Sequence, residues 1–179
     1  SICSEKKQID EGGILKTSEN FSISSIEGFF FPDSIFEFLL VKIHHVNFFM
    51  QLALDACRKG IDQGQTPFGA CIVQHNQHVL VATHNHVWTH TDVTAHAEIQ
   101  AIRDACQTNG DVFLNNCTIY STTEPCPMCF SAIHWARINR IVYGASIEDA
   151  QNFGFNELSI SNQQMKQWGS CNIEITCGF

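Results

Sequence analysis

The sequence predicts an α/β protein, a three-layer α/β/α sandwich around a central mixed sheet of about five strands. Three observations predict it: an apolar repeat of three to four residues beginning near His45, a hairpin signal directly behind it, and helices alternating with short strands from there on. Val46, Phe49, Met50, Ala53, Cys57 and Ile61 set the first helix, which Gly64 and Pro67 end. Residues 70–74 and 79–83 are short apolar runs on either side of His75-Asn76-Gln77, which reads as a β-hairpin. Ala97, Ile99, Ala101, Ile102 and Ala105 place a helix over 95–106. Residues 118–121 read as a strand, 127–137 as a helix and 141–143 as a strand. A short helix over 147–152 and a last strand over 173–176 complete the order.

Composition bounds the function. A chain of 179 residues, 44% hydrophobic and 16% charged, can bury one sizeable core. Residues 1–44 differ from the rest and read as an N-terminal arm or extension. Within it 4–25 are polar and include Gly12-Gly13, and 35–40 offer a short helix that packs on the body. Residues 45–179 form the folded domain. The formal net charge is −8, with a pI near 5.5. That acidity makes a phosphate-rich nucleic-acid partner less favoured. The Phe-rich stretch 29–50 is interrupted by Pro32, Asp33, Glu37, Lys42, His44 and His45, so it is not a membrane span. Nine cysteines without a secretory leader point to a reducing cytoplasm, where Cys57, Cys71, Cys106 and Cys117 serve as small apolar residues.

Two short segments carry the chemistry. Thr94-Ala95-His96-Ala97-Glu98 sets an imidazole two residues before a carboxylate. Downstream, Glu124-Pro125-Cys126-Pro127-Met128-Cys129 sets two thiols at the start of a helix, whose N-terminus favours thiolates and tolerates proline. His96, Cys126 and Cys129 supply three protein ligands for Zn2+ and leave the fourth tetrahedral position open to water, the catalytic kind of zinc site. Competing readings are a structural zinc with Cys106 or Cys117 as fourth ligand, and a redox-active Cys-x-x-Cys pair. Each motif alone is weak, and the linked set favours catalytic zinc. Glu98, one helical step beyond the ligand histidine, is placed to carry protons without binding the metal.

With these residues in place the sequence resembles the cytidine-deaminase-like zinc deaminases, whose signature is this H-x-E…P-C-x-x-C pattern. The resemblance runs from about His45 onward. It is strongest to the branch of bacterial-type guanine deaminases and tRNA adenosine deaminases. Pro67-Phe68-Gly69-Ala70, His84-Asn85 and Ala132-Ile133-His134-Trp135-Ala136-Arg137 support it. It implies hydrolytic removal of ammonia from an amidine carbon of a nucleobase or nucleoside, with Asn85 and Ala97 contacting the base. It also implies an acidic residue after the fourth strand that reads a purine edge, for which Asp149 and Glu157 are the candidates. Trp135 either stacks on the base or fills the core. The strings favour guanine as substrate, with tRNA wobble adenosine, cytosine or a nucleoside as alternatives and a non-catalytic zinc protein as a minor one. The resemblance further implies a homodimer and a final helix beyond Phe179. Val93 departs from the proline usual in guanine deaminases, and Gln65-Thr66 from a glycine pair.

Overall fold

The computed structural model describes the backbone of residues 33–178 and the side chains of 48–178. Its elements run α1 (Asp33–Asp62), β1 (Gly69–Gln74), β2 (His78–His84), α2 (Val87–His90), α3 (Ala97–Asn109), β3 (Cys117–Thr123), α4 (Pro127–Trp135), β4 (Arg140–Ala145), α5 (Ile147–Asn152), α6 (Asn162–Trp168) and β5 (Glu174–Cys177). The five strands form one mixed sheet in the order β2-β1-β3-β4-β5. The β2-β1-β3 half is antiparallel, as a hairpin requires, and β3, β4 and β5 are parallel. Each parallel step crosses over through helices, α4 in the first and α5 with α6 in the second.

The three layers follow from the two-residue period of the strands. Cys71 and Val73 of β1, Tyr120 of β3 and Val142 of β4 point to one face, where Phe49, Met50 and Ala53 of α1 cover them. Their neighbours Ala70, Ile72, Ile119, Ile141 and Tyr143 point to the other, against Ala97, Ala101 and Ala105 of α3 and Phe130 and Ile133 of α4. A stripe of three fully buried alanines lets α3 lie close to the sheet.

Several boundaries differ from those the sequence suggests. The short helix expected at 35–40 and the helix expected from His45 are one continuous helix, α1. The chain divides into compact units between Lys42 and Ile43, inside that helix. The expected packing of 35–40, and the arm over 1–32, lie outside the described residues. Ile61 keeps helical spacing but stands exposed, because α1 has there passed the edge of the sheet's core. Helix α3 starts at Ala97, since His96 is extended (φ −63°, ψ 157°), and runs to Asn109 before Gly110 turns left-handed. Helix α4 stops at Trp135, and Arg137 takes a left-handed conformation (φ 59°) with its guanidinium 3.7 Å from the Phe113 ring centre. Helices α2 and α6 were not foreseen.

Gly69 marks the tightest approach of sheet to helix. A Cβ there would collide with the Ala53 carbonyl oxygen and come within 2.8 Å of the Cys57 nitrogen, both backbone atoms of α1. Gly69→Ala is therefore expected to lower stability by ~2 kcal/mol or more, read as a lower urea midpoint at unchanged slope.

Candidate active site

The site forms where two helices begin. His96 caps the N-terminus of α3, and Cys126 that of α4; Cys129 lies in the first turn of α4. The turn that delivers His96 is built by Asp92, whose carboxylate accepts from the Thr94 backbone N–H (2.8 Å) and hydroxyl (2.7 Å). The His96 N–H then bonds back to the Thr94 carbonyl at 2.8 Å. Strand β3 delivers the other half, since Cys126 follows three residues after its end.

The ligand atoms converge. Nδ1 of His96 lies 3.8 Å from Sγ of Cys126 and 3.6 Å from Sγ of Cys129. Zinc bonds of about 2.0 Å to nitrogen and 2.3 Å to sulfur at a tetrahedral angle put ligand atoms about 3.6 Å apart, so the three residues fit this metal without rearrangement. Among the described residues they are the only such group, with ligand atoms all within 4.8 Å of one another. Cys106 and Cys117 are outside it, so among the described residues the structural-zinc reading with either as fourth ligand finds no support.

One of the three ligands is already deprotonated, and the other two must give up protons to bind a cation. Considering the protein groups alone, the hydrogen bond from Cys129 pulls the Cys126 thiol down to about 4 against the effect of burial, with His96 assisting. Cys129 is pushed well up, first as donor of that bond and then by burial. His96 is raised, chiefly by its hydrogen bond with Cys126 and then by the Glu98 charge.

Glu98 is buried beside these ligands yet outside the group. One carboxylate oxygen accepts from the Ser121 hydroxyl at 3.0 Å, and the other lies 3.5 Å from Sγ of Cys129. Burial pushes its pKa up, towards the range in which a carboxyl both takes and gives protons.

The remaining predicted residues divide. Glu157 is half-buried, and its pKa is raised by burial and by the Cys126 charge, with His96 opposing. Gln151 holds its backbone through a 2.9 Å bond to the Glu157 carbonyl, and Phe155 packs edge-on against Phe68, ring centres 4.9 Å apart. Asn85 is buried between Thr66, whose hydroxyl accepts from its amide, and the Val87 N–H, 3.2 Å from its oxygen. Ala97 has its methyl in the core and is the first residue of α3, so its N–H has no acceptor within the helix. Asp149 is otherwise engaged: it is exposed and forms a capping box with Ser146 at the start of α5. Trp135 is 75% exposed at the end of α4, neither in the core as a packed aromatic nor on the buried face that carries Cys129, Phe130 and Ile133.

Sequence reasoning missed Ser121, Thr66 and Gln65, whose side chain accepts from Trp88 N–H (3.1 Å) and donates to Thr89 (2.9 Å). Nothing local in the sequence marks them.

Residues 44–145 match the family model of the cytidine and deoxycytidylate deaminase zinc-binding region. The guanine deaminase of Bacillus subtilis is 40% identical over 116 residues, 64% of this chain and 73% of that protein. The tRNA-specific adenosine deaminase of Rickettsia typhi is 42% identical over 98 residues, 54% of this chain and 66% of that protein. A solved structure of a tRNA:A34 deaminase superposes with a TM-score of 0.64 at 33% identity, covering 74% of this chain and 92% of that one.

Two outcomes follow for the metal. Cys126→Ala should reduce bound zinc from one equivalent to near none by elemental analysis, with a lower melting temperature. Zinc uptake at pH 7 by the wild-type protein should release about one to two protons. Cys129 and part of His96 are protonated at that pH while Cys126 is already a thiolate, so titration in buffers of different ionisation enthalpy should show the release shrinking as pH rises.

Proposed function

The chain belongs to the cytidine and deoxycytidylate deaminase zinc-binding family, and from that premise we propose that it deaminates a purine base, hydrolysing guanine to xanthine and ammonia. The observation that carries this reading is Glu157. A half-buried carboxylate beside His96 and Cys126 suits a substrate with an N–H next to its reacting carbon. Guanine has one, N1–H beside C2. Adenine presents only a lone pair at N1, which a carboxylate repels.

Bound zinc supplies the Lewis acidity that activates water at neutral pH. Glu98 takes one proton from that water and gives it to the ring nitrogen N3, which keeps it in xanthine. It carries a second proton, from the newly added hydroxyl, to the amine that leaves as ammonia. Ser121 holds one of its oxygens, which leaves the other, beside Cys129, for the transfer. Burial raises its pKa, so the carboxylate is the stronger base towards that water. Asn85, fixed between Thr66 and Val87, and the N–H of Ala97 face the start of α3 and orient the base.

A second reading, a tRNA wobble adenosine, is favoured by the 92% coverage of the tRNA:A34 deaminase. The net charge of −8 weighs against it, because binding to a phosphate backbone draws on clustered Lys and Arg. We further propose a homodimer, supported by the exposed Trp88 and Val93, in the segment between Asn85 and His96, and by Trp135. A cytoplasmic setting is supported by the free thiols Cys57, Cys71, Cys106 and Cys117, while Cys177, which is disulfide-bonded, weighs against it. Among the described residues no helix is long and apolar enough to cross a membrane.

Glu98→Ala should keep one zinc and lose turnover by about 10²–10⁴-fold. Glu157→Gln should keep zinc and lower kcat/KM for guanine about tenfold to a hundredfold. Ammonia release is to be measured against guanine, adenine, cytosine, their nucleosides and an anticodon stem-loop. Turnover of the stem-loop alone would overturn the guanine reading.

A further inference from the structure

The buried carboxylate of Glu124 has no part in the chemistry above, yet it ties three elements to the metal loop. One oxygen accepts from the Asn162 backbone N–H at 2.7 Å and the other from the Ile147 N–H at 3.2 Å. These are the first residues of α6 and α5, so one side chain satisfies the starts of two helices. Burial and then the Glu124 charge push the Tyr143 hydroxyl up to about 12. The Glu124 N–H bonds to Ala145 at 2.8 Å, at the end of β4.

Asn162 completes the clamp from the other side. It is fully buried, and its amide donates to the Pro125 carbonyl at 2.5 Å, one residue before the ligand Cys126. Its Oδ1 has no hydrogen-bond partner in the protein. A buried acceptor left unpaired is unfavourable for stability, so the placement of this asparagine reflects what its donor does. The stretch from Ile147 to Asn162 carries Glu157, and Glu124 therefore holds both ends of that stretch against the loop that ends in Cys126.

We infer that Glu124 and Asn162 are positioning residues that fix Cys126 for metal binding and join the metal loop to the segment bearing Glu157. The inference rests on the zinc ligands and not on guanine as substrate. Partners that orient metal ligands change metal affinity about 10–100-fold when altered.

The test uses the full-length zinc protein with chelator competition, and the cobalt-substituted protein for its absorption bands. Ser161→Ala is the control, because it removes the cap of α6 without touching the clamp. Glu124→Gln should weaken zinc about 10–100-fold and shift the cobalt bands, while Ser161→Ala leaves both within about twofold. Asn162→Ala, which removes the donor to Pro125 without adding charge, should weaken zinc in the same direction and serves if Glu124→Gln does not fold. Wild-type zinc affinity and cobalt bands in whichever of these two variants folds would overturn the inference. So would equal weakening by Ser161→Ala.

Discussion

The structure depends on one constraint: two helices must begin at the same point, and the residues that begin them must be metal ligands. His96 and Cys126 both stand at N-cap positions with extended backbones, and neither side chain caps its helix. An ordinary cap would turn its side chain back onto the first N–H groups. Here those side chains turn instead towards each other. The N–H groups at both helix starts stay directed at the site, where their partial positive charge favours thiolates and polar substrate atoms. The helix starts that lose their caps thereby become part of the site.

Bringing the two starts together is the work of the sheet. His96 sits on α3 and Cys126 at the end of β3, and α3 reaches β1 and β3 only because Ala97, Ala101 and Ala105 present minimal side chains to Ala70, Ile72 and Ile119. Larger residues on that stripe would lift α3 and widen the gap between Nδ1 and the sulfurs, now 3.6 and 3.8 Å. Gly69 plays the matching part on the other face, where α1 lies against the start of β1. Both faces of the strand pair that carries the site are therefore packed at close range, which limits how far the ligands can drift.

The metal ligands and Glu98 were legible in the sequence because their chemistry is local: an imidazole two residues from a carboxylate, and two thiols one turn apart. The sheet was legible for the same reason, since period and turn signals are short-range. What escaped was what depends on partners far along the chain. Ser121 meets Glu98 across 23 positions, and Glu124 meets Asn162 across 38. Some errors had a local remedy. Ser146-x-x-Asp149 and Ser161-x-x-Gln164 are both capping-box spacings, realised in the structure. The first identifies Asp149 as a cap, and the second announces α6. Trp135 could also have been placed, because the apolar face of α4 runs through Cys129, Phe130 and Ile133 and position 135 falls off it.

Charge balance joins the site to its choice of substrate. Two thiolates and a neutral imidazole offset a divalent zinc ion completely, so Glu98 and Glu157 have no cation left to share. The charged groups that shift His96, Glu98, Cys126, Cys129 and Glu157 are one another, with no lysine or arginine among them. The two ion pairs formed by arginines in the described structure join Arg58 to Asp55 and Arg103 to Asp92, away from these groups. A phosphate brought close to such a site would meet carboxylates with nothing to screen them. A neutral base with N–H groups meets them as acceptors and as proton carriers, and each raised carboxyl pKa makes that exchange easier. The burial that raises both carboxyls thus favours proton transfer at the reacting centre.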